Sequence, residues 1–120
     1  MTLSVSPYKR NSDGSLEWLY DSLVYPNNTL AGIESTRKTF WGSSIAKTLG
    51  LSLLTTLESH DLMAEGEQLD QLEVEVETLI NNLHLFPRQE QYWTFRLGNV
   101  KAAIKVARSV QDGTGGVCIS

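Results

Sequence analysis

The chain is short of the residues that most chemistry needs. Its single cysteine, Cys118, cannot form a disulfide within the chain. It has two histidines, His60 and His84, and neither sits in a context that marks a general base. No apolar run approaches the length that spans a bilayer. Residues 1–8 lack the basic and apolar regions of a secretion signal. With the lone cysteine, these absences predict a cytoplasmic protein without membrane contact. Cationic charge is scarce as well: no lysine or arginine occurs between Lys47 and Arg88, and the net charge is −4. Nucleic-acid binding driven by overall charge is therefore disfavoured. No internal repeat or low-complexity segment occurs. The hydrophobic share of 41% and charged share of 20% exclude wholesale disorder. A length of 120 residues suits one domain and is too short for two ordinary ones.

What the chain does have is helical periodicity. In residues 61–85, Leu69, Leu72, Val76, Leu79, Ile80 and Leu83 recur at three- and four-residue steps, one face of a helix. Every formal charge in that stretch is negative, and the helix dipole favours acids in its first half. Gly66 is a candidate for its true start. Pro87 ends this helix and opens the next, because proline suits a first turn but not an interior. The last helix, over about 88–110, carries the stripe Trp93, Leu97, Val100, Ile104 and Ala107, with mostly basic charges. A short link makes these two helices an antiparallel hairpin. Each exposed ion pair across it is worth about 0–1 kcal/mol. The apolar seam, at roughly 25 cal/mol per Å² buried, supplies the stability.

Upstream, residues 1–14 read as an arm ending in the turn-like Ser12–Asp13–Gly14. Leu16, Leu19, Tyr20, Leu23 and Val24 space a short helix, with a hairpin turn at Asp13–Gly14 as the alternative. A second helical region holds Leu30, Ile33, Arg37, Phe40 and Trp41. Ile45, Leu49, Leu53 and Leu57 then mark one core helix to about residue 59. Residues 111–120, rich in glycine, read as a mobile tail. The expectation is an all-α fold: a single domain over 15–110, a small bundle of four or five helices with a long C-terminal antiparallel hairpin.

Residues 44–57 also resemble a helix-turn-helix DNA-binding motif. Ala46 supplies the small residue of the first helix, Gly50 the turn, Leu49 and Leu51 the core positions, and Ser52 a cap for the second helix. The resemblance implies DNA contacts from Ser52, Leu53, Thr55 and Thr56. The pattern departs where a groove would be read: Leu53 and Leu54 stand at outward positions, and Glu58 and Asp61 would face phosphates.

Catalytic signatures are missing. Residues 42–48 lack the glycine before Lys47 that lets amides curl around a phosphate. No Glu-x-x-His pair marks a metal site in a bundle. Cys118 and the serines have no evident base or nucleophile elbow. No catalytic residue, metal or cofactor is expected, so a small enzyme or ligand-binding protein ranks third. Arginine beside aromatics has the composition of binding hot spots. The first expectation is thus a non-catalytic protein-interaction module that binds a protein partner or itself through Arg88, Tyr92, Phe95, Arg96, Lys101, Lys105 and Arg108. The second is a DNA-binding regulator using residues 44–59.

Overall fold

The computed structural model describes residues 2–19, 30–86 and 89–120. It overturns the all-α bundle: the chain is a mixed fold with a five-stranded antiparallel sheet. The strands are β1 (Thr2–Arg10), β2 (Leu16–Trp18), β3 (Leu30–Ile33), β4 (Leu62–Glu65) and β5 (Gly115–Ile119). The α-helices are α1 (Ser44–Thr48), α2 (Glu67–Asn81) and α3 (Glu90–Arg108). The sheet order is β2-β1-β5-β4, and β3 also pairs with β1. Residues read as an arm and a tail are therefore its two central strands.

In β1, Leu3 and Val5 point inward while Ser4 and Ser6 alternate with them, the period of a strand. Ser4 and Ser120 exchange both backbone hydrogen bonds, so even-numbered residues of β1 bond towards β5 and odd-numbered ones away from it. Pro7 thus turns its missing N–H towards the other edge. There Pro7 accepts from the Leu19 amide at 3.0 Å and returns nothing, and β2 ends. β3 takes up the same edge further along, opposite Thr2–Ser4.

The segments read as further helices are shorter and more varied. Asp13–Gly14 belongs to the turn between β1 and β2, so the hairpin replaces the expected helix over its first residues; residues 20–25 lie outside the described part. Leu30 and Ile33 are on β3, not on a helix. Arg37–Trp41 forms one π-helical turn, closed by the Gly42 amide on the Arg37 carbonyl, and both Phe40 and Trp41 point into the core. Residues 44–59 are neither one helix nor a helix-turn-helix: α1 is followed by a 3₁₀ turn at Leu54–Glu58. β4 takes the start of the expected acidic helix, and Gly66, at φ 62°, begins α2.

The helices lie on one face of the sheet. Leu69, Leu72, Val76 and Leu79 of α2 and Trp93, Leu97, Val100, Ile104 and Ala107 of α3 join Leu3, Val5, Leu62, Ala64, Val117 and Ile119 in one core. The two long helices run antiparallel, because Asp70 pairs with Arg108 and Glu77 with Lys101. Gly115 lets β5 meet α3: a Cβ there would fall 1.9 Å from the Ala107 carbonyl oxygen.

Candidate functional site

Trp93 sets the rotation of α3. Its ring stacks on Phe40 at 3.5 Å and meets Trp41 edge-on at 5.4 Å, and its indole N–H donates to the Gln89 side-chain oxygen. With that face held in the core, Tyr92 and Arg96 fall at its border and Phe95 outside, 43% exposed. Residues four apart on a helix touch, and the Arg96 guanidinium lies 3.5 Å from the centre of the Tyr92 ring and 5.6 Å from that of Phe95. Its Nη1 makes one long contact, 3.5 Å, to the Tyr92 carbonyl oxygen. Its Nε is buried without a hydrogen-bond partner among the described residues.

The other described arginines all hold carboxylates. Arg10 pairs with Glu65, Arg37 with Glu34 and Asp61, and Arg108 with Asp70 and Glu73. The expected basic edge of α3 therefore divides. Arg108 and Lys101 are engaged by acids of α2, Lys101 with Glu77 at 2.7 Å. Lys105 is exposed and has no ion pair among the described residues. These three line a shallow groove of ≈ 380 Å³ with Glu73, Ala102 and Ile104. Arg88 lies outside the described residues. Of the expected partner-binding set, the structure joins Tyr92, Phe95 and Arg96 in one patch and places Lys101, Lys105 and Arg108 further along the helix.

Of the residues that the DNA-binding resemblance singled out, Ser52 and Thr56 are exposed and Leu53 and Thr55 half-buried, and the turn that carries them is hydrogen-bonded to α2. Both Glu75 carboxylate oxygens accept from the Leu53 amide at 3.1 Å, and Oε1 accepts from the Leu54 amide at 2.9 Å. Ser52 Oγ accepts from Gln71, and Thr56 donates to the Leu53 carbonyl. Thr55 is half-buried within the 3₁₀ turn. Lys47 pairs with Glu58 at 3.0 Å, and Arg37, which donates to the Leu57 carbonyl, is held by Glu34 and Asp61. The amides and the cations that a phosphate would seek at this turn are already occupied.

One polar cluster was missed by the sequence reading. On the sheet face away from the helices, Trp18, Tyr8, Gly116 and Glu65 stand in one row across four strands. The Tyr8 ring crosses Gly116, where a Cβ would fall 2.3 Å from it. Tyr8 donates to Glu65 at 3.0 Å, and Arg10 grips the same carboxylate from 2.8 Å. Burial first, and the Glu65 hydrogen bond next, push the Tyr8 phenol up to about 12. Arg10 is the main reason that the Glu65 carboxyl titrates below its ordinary value. A fully buried phenol held protonated is a fastener between strands, not a base. The alternation of Leu3 and Val5 with Ser4, Ser6 and Tyr8 was the available signal.

His60 and His84 are both exposed. Burial raises the Cys118 thiol above its ordinary value, which keeps it protonated and a weak nucleophile. Among the described residues, no three His, Cys, Asp or Glu side chains converge as metal ligands would, and no helix is long and apolar enough to cross a membrane. Compared with protein-family models, curated proteins and solved structures, the chain has no significant match.

Proposed function

We propose that the protein is a non-catalytic interaction module that docks a protein partner on the first half of α3, centred on Phe95 and Arg96. The observation that carries this reading is the exposed Phe95 ring beside an arginine stacked on Tyr92. Interface hot spots favour such a pairing: an aromatic offers large contact area, and a pre-stacked arginine loses little freedom on binding. The buried Trp93 holds the patch rigid from behind. A cytoplasmic setting is part of the same proposal, since it suits the free thiol of Cys118.

The test is recovery of partners by the tagged full chain, comparing wild type with Phe95→Ala and with Val74→Ala, which removes an exposed apolar residue on α2. One protein should be retained near stoichiometry by wild type and Val74→Ala. It should be lost with Phe95→Ala at an unchanged melting temperature, and nuclease should not affect its recovery. Recovery that depends on nucleic acid, or that ignores Phe95→Ala, overturns the proposal.

A further inference from the structure

We infer that the partner presents an acidic side chain to Arg96, next to an apolar residue seated on Phe95. The inference rests on the docking face proposed above and adds the chemistry of what docks there. A guanidinium carbon 3.5 Å from a ring centre leaves no room for a nitrogen between them, so the group lies face-on to Tyr92. Its N–H donors then lie in a plane roughly parallel to that ring. Among the described residues, its terminal nitrogens make one hydrogen-bond contact, the 3.5 Å approach to the Tyr92 carbonyl oxygen. A planar fork held in this way matches the two oxygens of a carboxylate.

Charge complementarity identifies the occupant. Of the four described arginines, Arg10, Arg37 and Arg108 each hold at least one carboxylate, and Arg96 holds none among the described residues. A carboxylate from outside would complete the pattern. A phosphorylated segment fits less well, because phosphate recognition gathers several cations. Lys105 is nine residues further on, about 14 Å along the helix. Lys101 and Arg108 are already engaged by α2. Phe95 beside the guanidinium adds an apolar contact, so the recognised element is an acid adjacent to an apolar residue.

The experiment is selection of a random-peptide phage library on the immobilised full chain. Selected peptides are then measured, with their Asp→Asn or Glu→Gln counterparts, against wild type, Arg96→Gln, Arg96→Lys and Phe95→Ala. Each variant is first checked for an unchanged melting temperature. The expected peptides share an acid next to an apolar residue, lose at least about tenfold in affinity when the acid becomes its amide, and lose as much on Arg96→Gln. Arg96→Lys should not restore binding, because an ammonium lacks the fork. Peptides without a required acid that are still lost on Phe95→Ala would keep the docking face and overturn the acidic partner. No enrichment, or binding indifferent to all three variants, would overturn both. Self-association of the chain that Phe95→Ala abolishes would give the face to a second copy and likewise overturn the inference.

Discussion

Glu75 lies in the acidic run of α2, yet it is only 4% exposed. Its carboxylate accepts from two successive amides of the 3₁₀ turn and from Gln71. It thus performs for that turn what a capping side chain performs for a helix, from another element of the fold. Removing it strands two amides at a partly buried site. Glu75→Ala should therefore lower stability by about 1–3 kcal/mol, read from urea unfolding, whereas Glu73→Ala should cost less than about 1 kcal/mol. Equal effects would mean that Glu75 is an ordinary surface acid. Nothing in the local sequence sets Glu75 apart from the other acids of α2, because its amide partners lie more than twenty residues upstream. Tyr8 is a second case. Its phenol is stabilised protonated in the fold, with a value of about 12 against an ordinary 10.0. A raised value favours the protonated form, so the contribution is complete below pH 10 and is lost as pH climbs towards 12. Ultraviolet titration should show a tyrosine step displaced well above pH 10, together with a fall in stability over that interval. Tyr8→Phe should remove the late step. If the late step persists, the assignment to Tyr8 is wrong.

The long helices were readable because each carries its own partner-facing stripe. Leu69, Leu72, Val76 and Leu79 on α2, and Trp93, Leu97, Val100, Ile104 and Ala107 on α3, are buried as their spacing requires. The strands were not readable for three physical reasons. β2 is three residues long, too short for alternation to show. β1 contains Pro7, normally a mark against a strand in the middle of a sheet, but here its missing donor falls where β2 ends. β5 begins with Gly115 and Gly116, which look like a flexible release and instead admit the Ala107 carbonyl and the Tyr8 ring. The proposed docking patch was partly legible: arginine among aromatics was visible in the sequence, but which cations α2 would engage depended on the helix register. At this scale the competing contributions to the α2–α3 seam can be ranked. Its ion pairs are largely exposed, so Lys101→Ala or Arg108→Ala should cost less than about 1 kcal/mol. Leu97→Ala, at a fully buried position, should cost about 2–5 kcal/mol. Comparable losses in denaturant unfolding would mean that charge holds the seam.

The molecule closes on itself through β1 and β5, the pair most distant in sequence. Every contact between them requires closure of a loop of about the whole chain, a cost that local helix formation does not meet. β5 is bonded on both edges, to β1 and to β4, and carries Val117 and Ile119 into the same core as α2 and α3. Detaching it would leave two strand edges unpaired and open the floor beneath both helices. β5 should therefore open only when the whole fold opens, and Cys118, buried within it, is a built-in probe. Reaction of Cys118 with a thiol reagent should be slow in the native state. In the regime where refolding outpaces labelling, the free energy of opening should equal that of global unfolding, with the same dependence on urea. A small urea dependence would show instead that β5 frays from an otherwise intact domain. That result would restore the behaviour of a tail and leave the helices resting on β1, β3 and β4. The buried pair Val117 and Ile119 argues for the first outcome: releasing β5 exposes core that no other described element can cover.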